Sequence, residues 1–92
     1  MKTIKIQIND KIGFHARTAS IFSKNASEFK SIINIEFKGK KVNGKSMLSI
    51  MSLGVKTADS VIISCEGEDE EVSINHLKNL INNNFNSWTI IK

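Results

Sequence analysis

The chain contains no proline and no tyrosine, and it has a single cysteine, Cys65, and a single tryptophan, Trp88. One cysteine excludes an internal disulfide and suits a reducing cytoplasm, which is the expected location. No apolar run approaches the roughly 20 residues of a membrane span. The opening MKTIKIQIND lacks the apolar core of a secretory signal, so neither insertion nor export is expected. Aromatic residues make up only 7% of the chain. That leaves little stacking surface for a single-stranded RNA platform. No repeat and no linker interrupts the 92 residues, which read as one domain spanning 1–92.

What is present is the composition of a folded protein, 40% hydrophobic and 24% charged. The net charge of +4 is unevenly spread. Residues 1–65 hold eleven basic residues against four acids, a local balance of +7, while Glu66, Glu68, Asp69, Glu70 and Glu71 crowd one short stretch. A basic face of that size suggests an acidic partner, whether nucleic acid, an anionic ligand or an acidic protein surface.

Hydrophobic periodicity orders the chain. Ile4, Ile6 and Ile8 alternate with polar residues, as in a strand with one wet face. Ala19, Phe22, Ala26 and Phe29 recur at helical spacing, predicting an amphipathic helix from about 16 to 29. Ile33, Ile35 and Phe37 alternate again, and Lys38-Gly39-Lys40 turns the chain into a short strand at Lys41-Val42-Asn43. Ser46 to Leu53 reads as a short helix stopped by Gly54. Val61, Ile63 and Cys65 mark a fourth strand, and Ile74, Leu77, Leu80 and Ile81 a last helix with an acidic first turn. The order β-α-β-β-α-β-α predicts an α+β domain: a four-stranded antiparallel open sheet with three helices on one face. Residues 85–92 form an extended tail whose Trp88, Ile90 and Ile91 look suited to docking.

The segment from Gly39 to Ser46, GKKVNGKS, matches a phosphate-binding loop letter for letter. The surroundings argue against that chemistry. Lys41-Val42-Asn43 reads as a hairpin strand, the helix after Ser46 is only about two turns, and no apolar strand ends in a convincing magnesium-binding Asp.

The segment with the most chemistry is Gly13-Phe14-His15-Ala16-Arg17-Thr18-Ala19. It places His15 at a helix cap, where Ser, Thr, Asp or Asn is usual. The N–H groups of Ala16, Arg17 and Thr18 then face outward at the positive end of the helix dipole and form an anion site. Arg17 adds a guanidinium fork suited to phosphate oxygens. The positive field favours a neutral, nucleophilic imidazole, and Gly13 permits the tight turn that presents it.

These residues carry a resemblance. GFHARTA resembles the active-site signature of HPr, the histidine-containing phosphocarrier family of the bacterial phosphoenolpyruvate-dependent sugar phosphotransferase system. That pattern runs Gly, aliphatic, His, Ala or Ser, Arg, Pro, Ala. Gly44 to Gly54, GKSMLSIMSLG, is similar to the regulatory-serine helix of the same family, and the spacing between the two segments fits. The resemblance implies a stoichiometric phosphocarrier rather than an enzyme. It takes a phosphoryl group on Nδ1 of His15 from enzyme I and passes it to a sugar-specific enzyme IIA. Arg17 stabilises the charge. No cofactor and no metal is expected, and Cys65 and His76 read as structural or surface residues.

The resemblance also makes Ser46 a phosphorylation site for an HPr kinase/phosphorylase, whose product a transcriptional regulator reads. Its plain role is to cap the short helix. Ser20, Lys24, Met47, Leu48 and Met51 match family positions that contact the transfer partners, and a Met-rich patch can repack against several of them. A shuttle works best as a monomer, and a monomer is expected.

Two departures stand out. Thr18 replaces the family proline, which adds a hydroxyl that could reach the phosphate, and Phe14 is bulkier than the usual aliphatic, altering how His15 is shielded. The competing readings are a small basic RNA-binding α/β module and a regulatory HPr paralogue.

Overall fold

The computed structural model describes residues 1–85. The chain runs β1 (Lys2–Gln7), α1 (Ala16–Ala26), β2 (Ile32–Phe37), β3 (Lys40–Asn43), α2 (Met47–Met51), β4 (Ser60–Glu66) and α3 (Glu70–Asn82). The strands form one antiparallel sheet in the order β1-β4-β2-β3. Period-two alternation sets the register: Ile4 pairs with Ile63, Ile63 with Ile35, and Ile35 with Val42. That row crosses all four strands on the face covered by the helices. The opposite face of the sheet is turned to solvent and carries the exposed Ile32 and Ile62. This is the α+β open sheet with three helices that the periodicity predicts.

Ala19, Phe22 and Ala26 of α1, Ile50 of α2 and Ile74, Leu77, Leu80 and Ile81 of α3 bury against Ile33, Ile35, Val61, Ile63 and Cys65. The β2–β3 connection is a two-residue turn with positive φ at both Lys38 and Gly39, as type I′ geometry requires. β3 therefore occupies the middle of the GKKVNGKS segment, which is hairpin strand and not phosphate loop.

The structure corrects two expectations. α1 ends at Ala26, three residues early, because Glu28 N–H bonds to Asn25 O and Phe29 N–H to Ala26 O, so the last turn tightens to i→i−3 bonding. Phe29 still follows the helical spiral and packs on the core, which explains why the periodicity extended that far. Phe85, assigned to the tail, is a fully buried core residue, 5.8 Å edge-on from Phe14. Trp88, Ile90 and Ile91 lie outside the described residues. Among those described, no helix is long and apolar enough to cross a membrane.

Candidate functional site

Residues 8–15 carry the chain from the end of β1 to the start of α1, and three features hold them in place. Ile8 is pinned on both sides, its N–H to Asp59 O at 2.8 Å and its carbonyl to the Ala58 N–H at 2.7 Å. Gly13 adopts φ +88°, and a Cβ there would lie 2.3 Å from the Val55 carbonyl oxygen, so no other residue fits. Phe14 N–H then bonds to that same oxygen at 3.1 Å. The Phe14 ring turns inward and meets Phe22 edge-on at 5.9 Å. It anchors the loop from below, because a ring of that size finds its best burial in the core.

His15 is the N-cap of α1, in extended conformation, and forms a capping box with Thr18: its side chain lies toward the Thr18 backbone N–H, while Thr18 Oγ1 takes the His15 backbone N–H. The first intrahelical bond joins Ala19 N–H to His15 O at 2.8 Å, so the N–H groups of Ala16, Arg17 and Thr18 lie ahead of the ladder. The His15 side chain is 28% exposed and that of Arg17 is 52% exposed. The ring is accessible yet supported.

The support comes from Thr18 and Asp10. Thr18 is fully buried; its Oγ1 accepts the His15 backbone N–H at 3.0 Å and donates to Gly13 O at 2.8 Å. A hydroxyl has one proton, and this one is committed to Gly13, so Thr18 offers an anion its backbone N–H and not its hydroxyl. Asp10, which the sequence reading did not single out, lies at the centre of the site. Its Oδ2 is 3.2 Å from His15 Nε2 and its Oδ1 accepts from Arg17 Nη2 at 3.0 Å. A carboxylate five residues before the histidine carries no motif signal; only the loop's fold brings it there.

Ser46 caps α2, its Oγ accepting the Ser49 N–H at 3.3 Å. Ile50 is buried, which turns Met47, Leu48 and Met51 outward, with Leu48 74% exposed. α2 packs on α1, whose outer side carries exposed Ala16, Arg17 and Lys24 and half-buried Ser20.

Two other reactive side chains belong to the framework. Cys65 is buried in β4, and burial pushes its thiol up. His76 holds Asn25 Oδ1 at 2.6 Å and meets Phe29 edge-on, and desolvation lowers its pKa. Among the described residues, no three His, Cys, Asp or Glu side chains gather where a metal could bind.

The family model for the "PTS HPr component phosphorylation site" matches residues 2–83. The phosphocarrier protein HPr of Mycoplasma pneumoniae is 42% identical over 79 residues, covering 85% of this chain and 90% of that protein. The HPr-like protein Crh of Bacillus subtilis is 40% identical over 73 residues, covering 79% and 86%. A crystal structure of HPr from Thermoanaerobacter tengcongensis superposes with a TM-score of 0.90 at 48% identity, covering 92% of this chain and 96% of that one.

Proposed function

The chain belongs to the HPr family, the phosphocarriers of the phosphotransferase system, and from that premise we propose that it shuttles phosphoryl groups on His15 from enzyme I to a sugar-specific enzyme IIA. The observation that carries the proposal is the accessible imidazole at the mouth of α1, ahead of which lie the N–H groups of Ala16, Arg17 and Thr18, with Arg17 alongside. Phosphoryl transfer depends on positioning and on charge stabilisation of three oxygens more than on covalent help. Helix-terminal N–H groups and a guanidinium supply that stabilisation.

In this reading residues 1–92 act as one monomeric, stoichiometric carrier domain. Nδ1, the nitrogen that Asp10 does not engage, forms the N–P bond. The outward Met47, Leu48 and Met51, with Ser20 and Lys24, meet both partners in turn. Ser46 is the control point for an HPr kinase/phosphorylase: a phosphate adds about −1.5 to −2 charges at the start of α2 and opposes docking of acidic partners. A transcriptional regulator reads that form.

The test is a relay. With phosphoenolpyruvate and a trace of enzyme I, the protein gains one acid-labile phosphoryl group, and adding enzyme IIA removes it. A label that forms but never leaves for IIA, or that fails to form, overturns the carrier role.

A further inference from the structure

Asp10 is 11% exposed, and its two carboxylate oxygens divide their partners. Oδ2 meets His15 Nε2 and the Ile12 N–H, each at 3.2 Å, while Oδ1 holds Arg17 at 3.0 Å. An ionised carboxylate can only accept hydrogen bonds, so the ring nitrogen facing it bears the proton. The other nitrogen, Nδ1, is then left with the lone pair. We infer that Asp10 is a positioning residue for phosphoryl transfer, holding the His15 ring through Nε2–H so that Nδ1 presents its lone pair, and holding Arg17 beside it.

The step balances without any further group. The Nδ1 lone pair forms the new N–P bond, the donor's bond to phosphorus breaks and its electron pair leaves with the donor, and the Nε2 proton stays. The ring is then positively charged, and the Asp10 carboxylate faces that charge. The reverse transfer meets the same arrangement, which is what a carrier working in both directions requires. Among the described residues, Arg17 is held by an oxygen that has no other partner, so it can exchange Asp10 for phosphoryl oxygens while Oδ2 keeps the ring.

The inference rests on the carrier reading above, and two measurements on the full chain separate their failures. The first is nuclear magnetic resonance of the His15 Nε2-bound proton in the unphosphorylated protein. It is expected to be protected from solvent exchange in the wild type and in Asp10→Asn, whose amide oxygen still accepts, and to be lost in Asp10→Ala. The second is phosphoryl acceptance from enzyme I. Asp10→Ala is expected to lower the rate at saturating carrier about tenfold, the worth of one charge-assisted hydrogen bond, with the half-saturating concentration unchanged. Asp10→Asn is expected to recover most of that loss. An unprotected Nε2 proton in the wild type overturns the inference. So does an Asp10→Ala variant that transfers at the wild-type rate, or an Asp10→Asn variant as slow as Asp10→Ala. If the wild type accepts no phosphoryl group at all, the carrier reading fails, and the proton measurement still decides whether Asp10 holds the ring.

Discussion

Thr18 Oγ1 donates to the carbonyl of Gly13 across 2.8 Å. The same buried oxygen accepts the His15 N–H at 3.0 Å, so one hydroxyl ties the first turn of α1 to the loop that presents the ring. The family proline at this position can make neither bond. Here the rigidity that proline supplies through its fixed φ comes instead from a side chain.

Thr18→Val keeps the shape of the side chain and strands both partners. The expected cost is about 1–3 kcal/mol of folding stability, the penalty for orphaning buried polar groups, with slower phosphoryl acceptance as the ring loses its seat. Chemical denaturation and the enzyme I assay measure the two effects. A variant as stable and as fast as the wild type would show that the hydroxyl is incidental.

Ser46 separates capping from charge. Ser46→Ala removes the acceptor for the Ser49 N–H and is expected to cost about 1 kcal/mol, as lost caps do. Ser46→Asp keeps a cap and adds negative charge at a helix start, so melting stays near that of the wild type while affinity for enzyme I falls. Titration calorimetry at two salt concentrations checks this, the deficit shrinking at high salt. Equal affinity for enzyme I in the two proteins would count against electrostatic control.

Acid stability should depend on Asp69. The Ser31 hydroxyl, followed by the Lys30 and Ser31 backbone N–H groups, holds its carboxyl below the ordinary value of 3.8. Glu70 is lowered in the same way, first by the Gly67 N–H. A carboxyl lowered in the folded state contributes stability that is present above its unfolded pKa and is lost as pH falls through the folded one. Urea denaturation across the acid range should therefore show stability falling below about pH 4. Asp69→Asn should be less stable at neutral pH and flatter in acid; an unchanged acid profile would contradict the assignment.

His76 works in the same sense at higher pH, for a different cause. Its folded pKa lies below the ordinary 6.5 because burial disfavours the charged ring. The unfolded chain then binds the proton more readily, and stability declines as pH drops below 6.5 toward the folded value. His76→Gln should remove that slope while retaining a donor for Asn25 Oδ1; a slope that persists would place its origin elsewhere.

The sheet was legible because period-two alternation of isoleucine and valine fixes both strand identity and face, and the row from Ile4 to Val42 follows directly. His15 and Arg17 were legible because a cap histidine before an arginine is chemically unusual and resembles a known signature. The end of α1 was not, since Phe29 keeps helical phase through a tightened turn. Phe85 was hidden among asparagines, and only its aromatic pairing with Phe14 reveals it as core. Asp10 was hidden for a further reason: its partners come together through the loop pinned at Ile8 and Gly13, and no local pattern encodes that closure.

The most direct measurement identifies the atom that carries phosphorus. After incubation of the isotope-labelled chain with phosphoenolpyruvate and enzyme I, one-bond phosphorus–nitrogen coupling is predicted at Nδ1 of His15, with His76 unmodified and no signal in His15→Ala. Phosphorus on Nε2, on any other residue, or still present in His15→Ala would contradict the account.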